Sequence, residues 1–253
     1  MRDLDIIIGI HSIAEALICR PDAVRKIIAT NDGLKDFKKK TKINKELQGV
    51  DIKMVSSHDL QKTAQTFYKE IDLTYQRVPS QIFMVVDPVR TFEPSWLWDK
   101  LDKNEKYKVL CLDQVTDVHN AAAIMRSAAF YGVDCVLTGA KGHFGTGPSF
   151  ARIASGAIEH VDIVICASLP KAITKLKEKG VTVIGFSEHA SEDGDGVERT
   201  PQMALVLGAE DVGMSNAVSR VVEHRVAIKP LGKIKSLNVS VAGAIAMERW
   251  LKY

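Results

Sequence analysis

The feature that most constrains the fold is a regular alternation of apolar and helical segments over residues 105–253. The apolar runs predict strands at Lys108–Leu112, Val133–Thr138, Val161–Cys166, Val181–Phe186, Met203–Leu207 and His224–Ile228. The segments between and after them predict helices at Val118–Tyr131, at Ser149–Ala157, after Ser168 and Pro170, at Met214–Val222 and at Leu237–Leu251. Near-continuous apolar strands that alternate with helices are typical of a parallel sheet buried on both faces. We therefore predict an α/β domain with a mostly parallel sheet and helices on both faces.

A weaker alternation occupies the first 87 residues and predicts a smaller α/β domain. Strands are expected at Val24–Thr30, Asp51–Val55 and Ile82–Val86, and helices at Ser12–Ile18, Gly33–Leu47 and Asp59–Phe67. The first helix follows the apolar run Ile6–Ile8, and Ser12 with Glu15 matches the capping-box pattern. Pro88 and Pro94 then interrupt any periodicity. The predicted division is 1–87, a linker at 88–104 in which Trp96 and Trp98 pack or offer a stacking surface, and 105–253.

Composition excludes several classes of protein. The chain has 253 residues, 46% hydrophobic and 26% charged, and it contains no run of 18 apolar residues that would predict a membrane span. The first five residues contain two acids, so the start of the sequence does not resemble a signal peptide. The four cysteines are far apart, without a CxxC pair, which argues against a zinc ribbon or a disulfide framework. We expect a cytoplasmic protein without a metal.

One run of lysines stands out against a net charge of only +3. Its members are Lys35, Lys38, Lys39, Lys40, Lys42 and Lys45, opposed within the run by Asp36. A solvated helix face would explain the run. A surface that contacts phosphate groups is the alternative explanation, because each phosphate that a lysine neutralises releases counterions.

Ligands of open parallel sheets bind beyond the carboxyl ends of the strands, so the loops that follow the strands hold the candidate site residues. The loop after Leu112 leads to Asn120 and Arg126, for which a helix cap and a surface ion pair are the simpler readings. The loop after Leu207 contains Glu210, which could bond a ribose, contact a partner subunit or face water. Ser236, Asn238 and Ser240 cluster where the last helix begins, and they are more good capping residues than one helix start requires.

Two glycine-rich loops exclude common nucleotide sites. The loop 139–147 holds a G-x-G that does not continue as G-x-G-x-x-G, which disfavours a dinucleotide site. Gly208 and Gly213 have P-loop spacing without the Lys-Ser/Thr that follows in a P-loop. Glycines at a strand end allow the backbone to approach a ligand closely.

Together these loops resemble the SpoU/TrmH-type 2′-O-ribose RNA methyltransferases of the SPOUT superfamily. The matching motifs are Leu112–Asn120 with Arg126–Val133, Ala154–Ala157 with His160 and Val161, Leu205–Ser215, and Ile228–Gly232 with Ser236–Ala242. Ile8–Leu17 is similar to the start of the small substrate-binding domain of the rRNA branch. The chain departs from the family pattern at Val118, where Pro is usual, and at Ala122, where Gly is usual.

The resemblance implies a C-terminal deep trefoil knot, a small L30e-like N-terminal domain that binds RNA, and a homodimer that places Asn120 and Arg126 beside the partner's site. It implies S-adenosylmethionine as cofactor. The residues implied to hold the cofactor are Thr138, Gly139, Leu207, Gly208, Ile228, Leu231, Gly232, Ser236 and Leu237. The implied catalytic set is Arg126, Asn120, Glu210, Ser236 and Asn238. With RNA as the implied substrate, contacts to its phosphates are expected for Lys35, Lys38, Lys39 and Lys42.

The implied reaction is methyl transfer to a ribose 2′-OH, with a guanosine of 23S-type rRNA as the expected target. Arg126 is the leading catalytic residue. A free arginine is a poor base, because its guanidinium stays protonated. We therefore expect Arg126 to anchor the target phosphate, or to accept the proton only after that phosphate perturbs it. The alternatives are a tRNA 2′-O-methyltransferase and a non-enzymatic RNA-binding or ribosome-assembly protein on the same fold. A generic nucleotide-dependent α/β enzyme is disfavoured by the absent nucleotide motifs.

Overall fold

The computed structural model describes residues 3–141, 143–190, 194–234 and 236–252. The strands are β1 Asp5–Ile8, β2 Val24–Ala29, β3 Ile52–Met54, β4 Ile82–Val86, β5 Thr91–Phe92, β6 Tyr107–Asp113, β7 Cys135–Gly139, β8 Asp162–Cys166, β9 Thr182–Phe186, β10 Gln202–Gly208 and β11 His224–Val226. The helices are α1 Ile10–Cys19, α2 Asn31–Thr41, α3 Ser57–Glu70, α4 Pro94–Lys103, α5 Val118–Phe130, α6 Pro148–Ala154, α7 Leu169–Glu178, α8 Asn216–Ser219 and α9 Val239–Trp250. None of the helices in the described ranges is long and apolar enough to span a bilayer.

The chain divides into two compact units, and the first includes a segment that was expected in the second. This unit comprises the residues up to Val89 together with Gly145–Glu159. The later segment contributes α6, which packs against β1 and α1.

The capping-box pattern at Ser12 did not predict the contact that Ser12 makes. Its hydroxyl donates to the Ala151 carbonyl of α6 (2.6 Å) instead of capping α1, whose N-cap residue is Gly9.

The sheet of the first unit is mixed, with strand order β1-β4-β2-β3. β4 is antiparallel to both β1 and β2, and β3 is parallel to β2. Successive side chains of a strand point to opposite faces, and β4 uses both. Ile82 and Met84 pack in a core with α1 and α2, whereas Phe83 packs in a second core with α3. Burial of both faces explains why this strand is apolar at every position.

Helix α2 carries the lysine run and is shorter than predicted. It begins after Thr30, whose hydroxyl accepts a hydrogen bond from the Gly33 N–H (2.9 Å). It ends at Thr41 rather than Leu47, because Lys42 adopts a left-handed conformation with φ 63°. The only wholly buried large side chain of the helix is Phe37, so the lysines occupy the opposite, solvated face.

The second unit contains Arg90–Phe144 and the chain from His160 onward. Its seven described strands are parallel and have the order β11-β9-β10-β6-β7-β8-β5. This establishes the predicted α/β class with a parallel sheet. Because all strands run in one direction, their carboxyl ends meet at one edge, where the loops with the candidate residues lie.

Helices cover both faces of this sheet, as predicted. On one face, Ala204 and Val206 of β10 belong to a core that includes side chains of α4 and α7. The next residue, Leu207, points to the other face, where its side chain lies against Gly243 of α9. Helix α9 also packs along α5. The small residues of both helices therefore serve close packing.

The predicted linker 88–104 is not a free connection. Thr91 and Phe92 pair with Ile163 and Val164 of β8, and α4 buries Leu97 in the core of the second unit. The expected helix at Met214–Val222 is also shortened to α8, since Gly208–Ser215 forms a tight turn instead. The other predicted bounds agree with the structure to within three residues.

Candidate active site

Two helix starts at the carboxyl-end edge of the seven-stranded sheet hold amide side chains. Asp117 caps α5, and its carboxylate accepts a hydrogen bond from the Asn120 backbone N–H (2.8 Å). Asn238 caps α9, and its side-chain Oδ1 accepts from the Ser240 backbone N–H (2.9 Å). A side-chain cap defines the first turn of a helix. Both amides are therefore held at helix starts and not along solvated helix faces.

The side chains of Asn120, Glu210 and Asn238 form one hydrogen-bonded cluster, which we call the Asn–Glu–Asn triad. Asn120 Nδ2 donates to Glu210 Oε2 (2.8 Å), and Asn238 Nδ2 donates to the same oxygen (3.1 Å). Asn238 Nδ2 also donates to Asn120 Oδ1 (2.9 Å), although the two residues are 118 positions apart in the chain. The sequence proposed each of these residues, and the structure brings them together.

Ser240 orients the Asn238 amide. Its hydroxyl donates to Asn238 Oδ1 (2.6 Å), the oxygen that also accepts from the Ser240 backbone N–H. Since the oxygen end is thereby occupied, the Nδ2 end faces Glu210 and Asn120. The sequence pattern of polar residues before α9 pointed to Ser240 without assigning it this task.

A tight turn after β10 presents Glu210. Ala209 and Gly213 exchange two backbone hydrogen bonds (3.1 and 2.8 Å), and Gly213 has a φ of +66°, which favours glycine. A Cβ atom on Gly208 would lie 2.1 Å from the backbone of both Gly213 and Met214. The close return of the chain therefore requires glycine at 208, and it holds Glu210 at the tip of the turn.

Arg126 does not join the triad within the protomer. It is exposed on α5, and its side chain forms no hydrogen bond or ion pair with any residue that the structure describes. Six residues of α-helix separate it from Asn120, about 9 Å along the axis and roughly 120° around it. The two side chains therefore point to different sides of α5.

The nine expected cofactor residues fall into two groups. Thr138, Gly139, Leu207 and Gly208 lie at the ends of β7 and β10. Thr138 is buried, and its hydroxyl donates to the Leu112 carbonyl (3.3 Å), so it is available to a ligand chiefly through its backbone. The second group is in the connection from β11 to α9: Ile228, Leu231, Gly232, Ser236 and Leu237.

The connection from β11 to α9 exposes both apolar side chains and backbone donors. Leu231 is fully exposed, and Leu237 is 46% exposed. Among the residues described, the N–H groups of Leu231, Gly232 and Leu237 donate to no protein acceptor. Ser236 likewise forms no hydrogen bond to the triad. This segment offers unsatisfied amides beside apolar surface.

Thiol chemistry does not fit the site. Cys111, Cys135 and Cys166 are buried, and burial is the largest cause that raises the pKa of each thiol. Cys166 donates its S–H to the Thr138 carbonyl (3.4 Å). A buried thiol with a raised pKa is a poor nucleophile. The triad instead positions polar groups by hydrogen bonds.

The imidazole of His143 lies in the glycine-rich loop after β7. Burial lowers the pKa of its side chain, which favours the neutral form. The ring contacts Phe144 edge to face, with centroids 4.8 Å apart. The adjacent Gly142 lies outside the described residues.

The lysine run is exposed on the first unit. Lys35, Lys38, Lys39, Lys40, Lys42 and Lys45 are all solvent-accessible. Lys40 pairs with Asp36 (2.8 Å), whereas the other five form no ion pair with the described part of the chain. Geometry therefore leaves both the solvated-face and the phosphate-binding interpretations open.

Two contacts beside the triad were not anticipated from sequence. Asp113, buried at the end of β6, accepts a hydrogen bond from the Ser215 N–H (2.7 Å). Asp117 caps α5, although the sequence drew attention to Asn120 as the capping candidate. An acid three residues before Asn120 was a usable capping signal. The Asp113 contact crosses 102 positions and has no local signal.

Comparisons with known proteins agree with this geometry. Residues 107–248 match the model described as the SpoU rRNA Methylase family. Residues 6–67 match the model described as RNA 2′-O ribose methyltransferase substrate binding. The first match covers six of the seven strands of the second unit's sheet and all three members of the triad.

Relatives and solved structures give the same picture. A relative from Bacillus subtilis, described as a TrmH family tRNA/rRNA methyltransferase, is 32% identical over 68% of this chain and 71% of its own length. One from Staphylococcus epidermidis with the same description is 28% identical over 98% of this chain and 94% of its own length. The SpoU methyltransferase AviRb from Streptomyces viridochromogenes, solved with AdoMet, superposes with a TM-score of 0.75 at 18% identity, covering 98% of this chain and 90% of that one. At that identity the superposition establishes a shared fold.

Proposed function

The chain belongs to the SpoU rRNA Methylase family of RNA methyltransferases, and we propose that it transfers a methyl group from S-adenosylmethionine to a ribose 2′-OH of RNA, with a guanosine of 23S rRNA as the target. The Asn–Glu–Asn triad is the observation that carries this proposal. Three polar side chains from three separate loops meet where ligands of parallel sheets bind. A protein that kept the fold only to bind RNA would not need this geometry.

The connection from β11 to α9 fits an adenosine group. Backbone amides without a protein acceptor at Leu231, Gly232 and Leu237 can recognise a base edge, while the exposed side chains of Leu231 and Leu237 offer apolar contact. A Cβ atom on Gly232 would meet no atom within 4 Å. We propose that this connection and the ends of β7 and β10 hold S-adenosylmethionine, within a trefoil knot.

When bound, S-adenosylmethionine supplies an electrophilic methyl group. The protein must hold the 2′-OH in line with that group, because correct orientation of the reactants lowers the entropic part of the activation free energy. Glu210 Oε2 is occupied by two amide donors. These bonds fix the carboxylate, and with it the groups that would position the ribose.

Arg126 would anchor the target phosphate. Its guanidinium is exposed and has no partner in the described chain, so it is available for a bidentate contact with a phosphate. A free guanidinium stays protonated, so an arginine is a poor base for removing the 2′-OH proton. We propose that Arg126 acts beside the site of a partner subunit, because it lies away from the triad of its own protomer.

A homodimer is supported by apolar exposure on α5 and α9. Phe130 is 82% exposed, and Val241 and Ile245 are 48% and 39% exposed. Val241 and Ile245 are four residues apart and share a helix face. Two packed helices with exposed apolar side chains favour a self-complementary interface. Sedimentation of the purified chain measures the oligomeric state.

The first unit would bind the RNA substrate. The match of residues 6–67 to a substrate-binding model supports this assignment, and the unpaired lysines of α2 provide cations for phosphates. The relatives' descriptions include both tRNA and rRNA. A tRNA target is therefore the second candidate.

Mapping of 2′-O-methylation in rRNA and tRNA from cells with and without the gene tests the target. Loss of one 23S rRNA modification in the deletion strain is the expected result, and loss of a tRNA modification would select the second candidate. Calorimetry with S-adenosylmethionine tests the cofactor. Binding of NAD or ATP instead, or no binding with intact RNA affinity, would contradict the methyltransferase proposal.

A further inference from the structure

Asp113 is a buried acid beside the triad that the sequence motifs leave without a role. It is the last residue of β6 and is only 5% exposed. The parallel register places it next to Gly208 of β10, where the turn that carries Glu210 begins. Among the described residues, no cationic side chain pairs with it. A buried carboxylate is costly unless hydrogen bonds compensate it, so its surroundings should explain its presence.

The carboxylate is bonded to the far end of the turn. Asp113 Oδ2 accepts from the backbone N–H of Ser215 (2.7 Å). This distance is within the range of charge-assisted hydrogen bonds. Ser215 is the N-cap residue of α8, and its hydroxyl accepts from the Val218 N–H (3.3 Å). Asp113 therefore holds the backbone at Ser215, where the turn ends and α8 begins.

The turn is consequently fixed at both of its ends. At the start, the backbone of Gly213 and Met214 packs against Gly208 so closely that no Cβ fits. At the end, Asp113 holds Ser215. Glu210 lies between these two attachments, and its only side-chain hydrogen bonds to the described residues are those of the triad. Its position thus depends on the turn.

We infer that Asp113 is a positioning residue, which holds the Ser215 amide so that the turn delivers Glu210 to Asn120 and Asn238. The inference rests on the proposed function for its catalytic consequence, but the positioning itself can be measured without activity. The triad's two Asn side-chain amides report it, because both donate to the Glu210 carboxylate.

The experiment compares NMR signals of the Asn120 and Asn238 side-chain amides in the wild type and in variants. Glu210→Leu removes both acceptor oxygens and defines the signals of a broken triad. Asp113→Leu removes the acceptor and is expected to give those same signals, whereas Asp113→Asn keeps an acceptor oxygen and is expected to retain the wild-type ones. Wild-type signals in Asp113→Leu would overturn the inference.

A second pair of variants tests the bond from its other side. Ser215 has a φ of −58°, which proline adopts readily, so Ser215→Pro removes the N–H without changing the backbone. Ser215→Ala keeps the N–H and removes only the hydroxyl. Broken-triad signals in Ser215→Pro but not in Ser215→Ala are expected. If Asp113→Leu does not fold, these two Ser215 variants test the role of Asp113 instead. Equal amide signals in Ser215→Pro and Ser215→Ala would overturn the inference.

Kinetics then separate positioning from general stability. Asp113→Leu should lower kcat by about 10–100-fold, with little change in KM for RNA, as expected for a misplaced catalytic group. Because Asp113 acts through Glu210, the double variant with Glu210→Leu should be no slower than Glu210→Leu alone. Additive losses would overturn the inference. A wild type that transfers no methyl group would refute the proposed function, while the amide signals would still decide the role of Asp113.

Discussion

The Asn–Glu–Asn triad and the lysine face of α2 show two different ways of serving an RNA substrate. In the triad, every side chain is fixed by others, and Glu210 Oε2 alone accepts two hydrogen bonds. Of the six lysines on α2 and in the segment directly after it, five have no ion-pair partner within the described chain. Chemistry at one atom needs preorganised geometry, whereas attraction of a polyanion needs only accessible charge. The two regions should therefore respond differently to the same kinds of substitution.

The largest effect is expected from Glu210→Gln. Glutamine keeps one acceptor oxygen for Asn120 and Asn238 but removes the negative charge that strengthens both hydrogen bonds. We expect kcat to fall by about 10²–10³-fold, the usual loss on removal of one preorganised electrostatic interaction. Steady-state methylation assays measure it, with Glu223→Gln as a control on an exposed acid of the same unit. Activity within twofold of the wild type would show that the triad is not catalytic.

The next largest effect is expected from Arg126→Lys. Arg126 is exposed like the lysines of α2, but we assign it to catalysis. Lysine keeps the charge and loses the planar fork that binds phosphate in a bidentate manner. We expect a loss of about 10–100-fold in kcat, with S-adenosylmethionine affinity in calorimetry largely unchanged. Arg225→Lys, at an exposed arginine of β11, is the matched control. Normal turnover in Arg126→Lys would reduce its role to charge alone.

Substitution of Lys35, Lys38 and Lys39 by alanine should weaken RNA binding without changing kcat. Each lost phosphate contact lowers the salt slope of log K by somewhat less than one, so the slope should fall by roughly 2–3. Filter binding over a range of salt concentrations measures it. The triple variant Lys103, Lys106 and Lys171 to alanine removes the same charge from the second unit. Equal slopes for the two triple variants would return the lysine run to a solvated helix face.

The smallest effect is expected from Asp162→Asn, the same acid-to-amide change made away from the triad. Burial raises the pKa of Asp162, Lys100 opposes this shift and Asp134 adds to it. A raised carboxyl pKa means that its stabilising contribution is complete below about pH 4 and is lost as the pH rises through the folded-state pKa. Asp162→Asn should therefore match the wild-type Tm near pH 3 and exceed it at pH 7.

Methylation by Asp162→Asn should remain at the wild-type level, since the residue begins β8 at the opposite edge of the sheet. Thermal unfolding at the two pH values, together with one activity assay, completes the comparison with Glu210→Gln. A lower Tm at pH 7 would show that the Asp162 carboxylate makes a favourable contact that burial alone does not reveal.

The elements were largely predictable because their signals are local. Strand β4 was predicted at its observed bounds, Ile82–Val86, since burial on both faces makes every one of its positions apolar. The errors occurred where a distant contact prevailed over a local pattern. Ser12 fits a capping box, but the Ala151 carbonyl takes its hydroxyl. A helix was predicted from Met214, but the backbone of Met214 packs against Gly208 and the helix begins only at Asn216.

The sequence by itself determined the order of strands and helices, the edge of the sheet where ligands bind, and the polar residues that could act there. These follow from periodicity, from helix capping and from the directions of parallel strands. Only the tertiary structure decided which candidates meet: Asn120 with Glu210 and Asn238, while Arg126 and Ser236 stay apart from them. The physical reason is that a hydrogen bond requires atoms within about 3 Å, and the path of the chain between residues 118 positions apart decides whether that distance is reached.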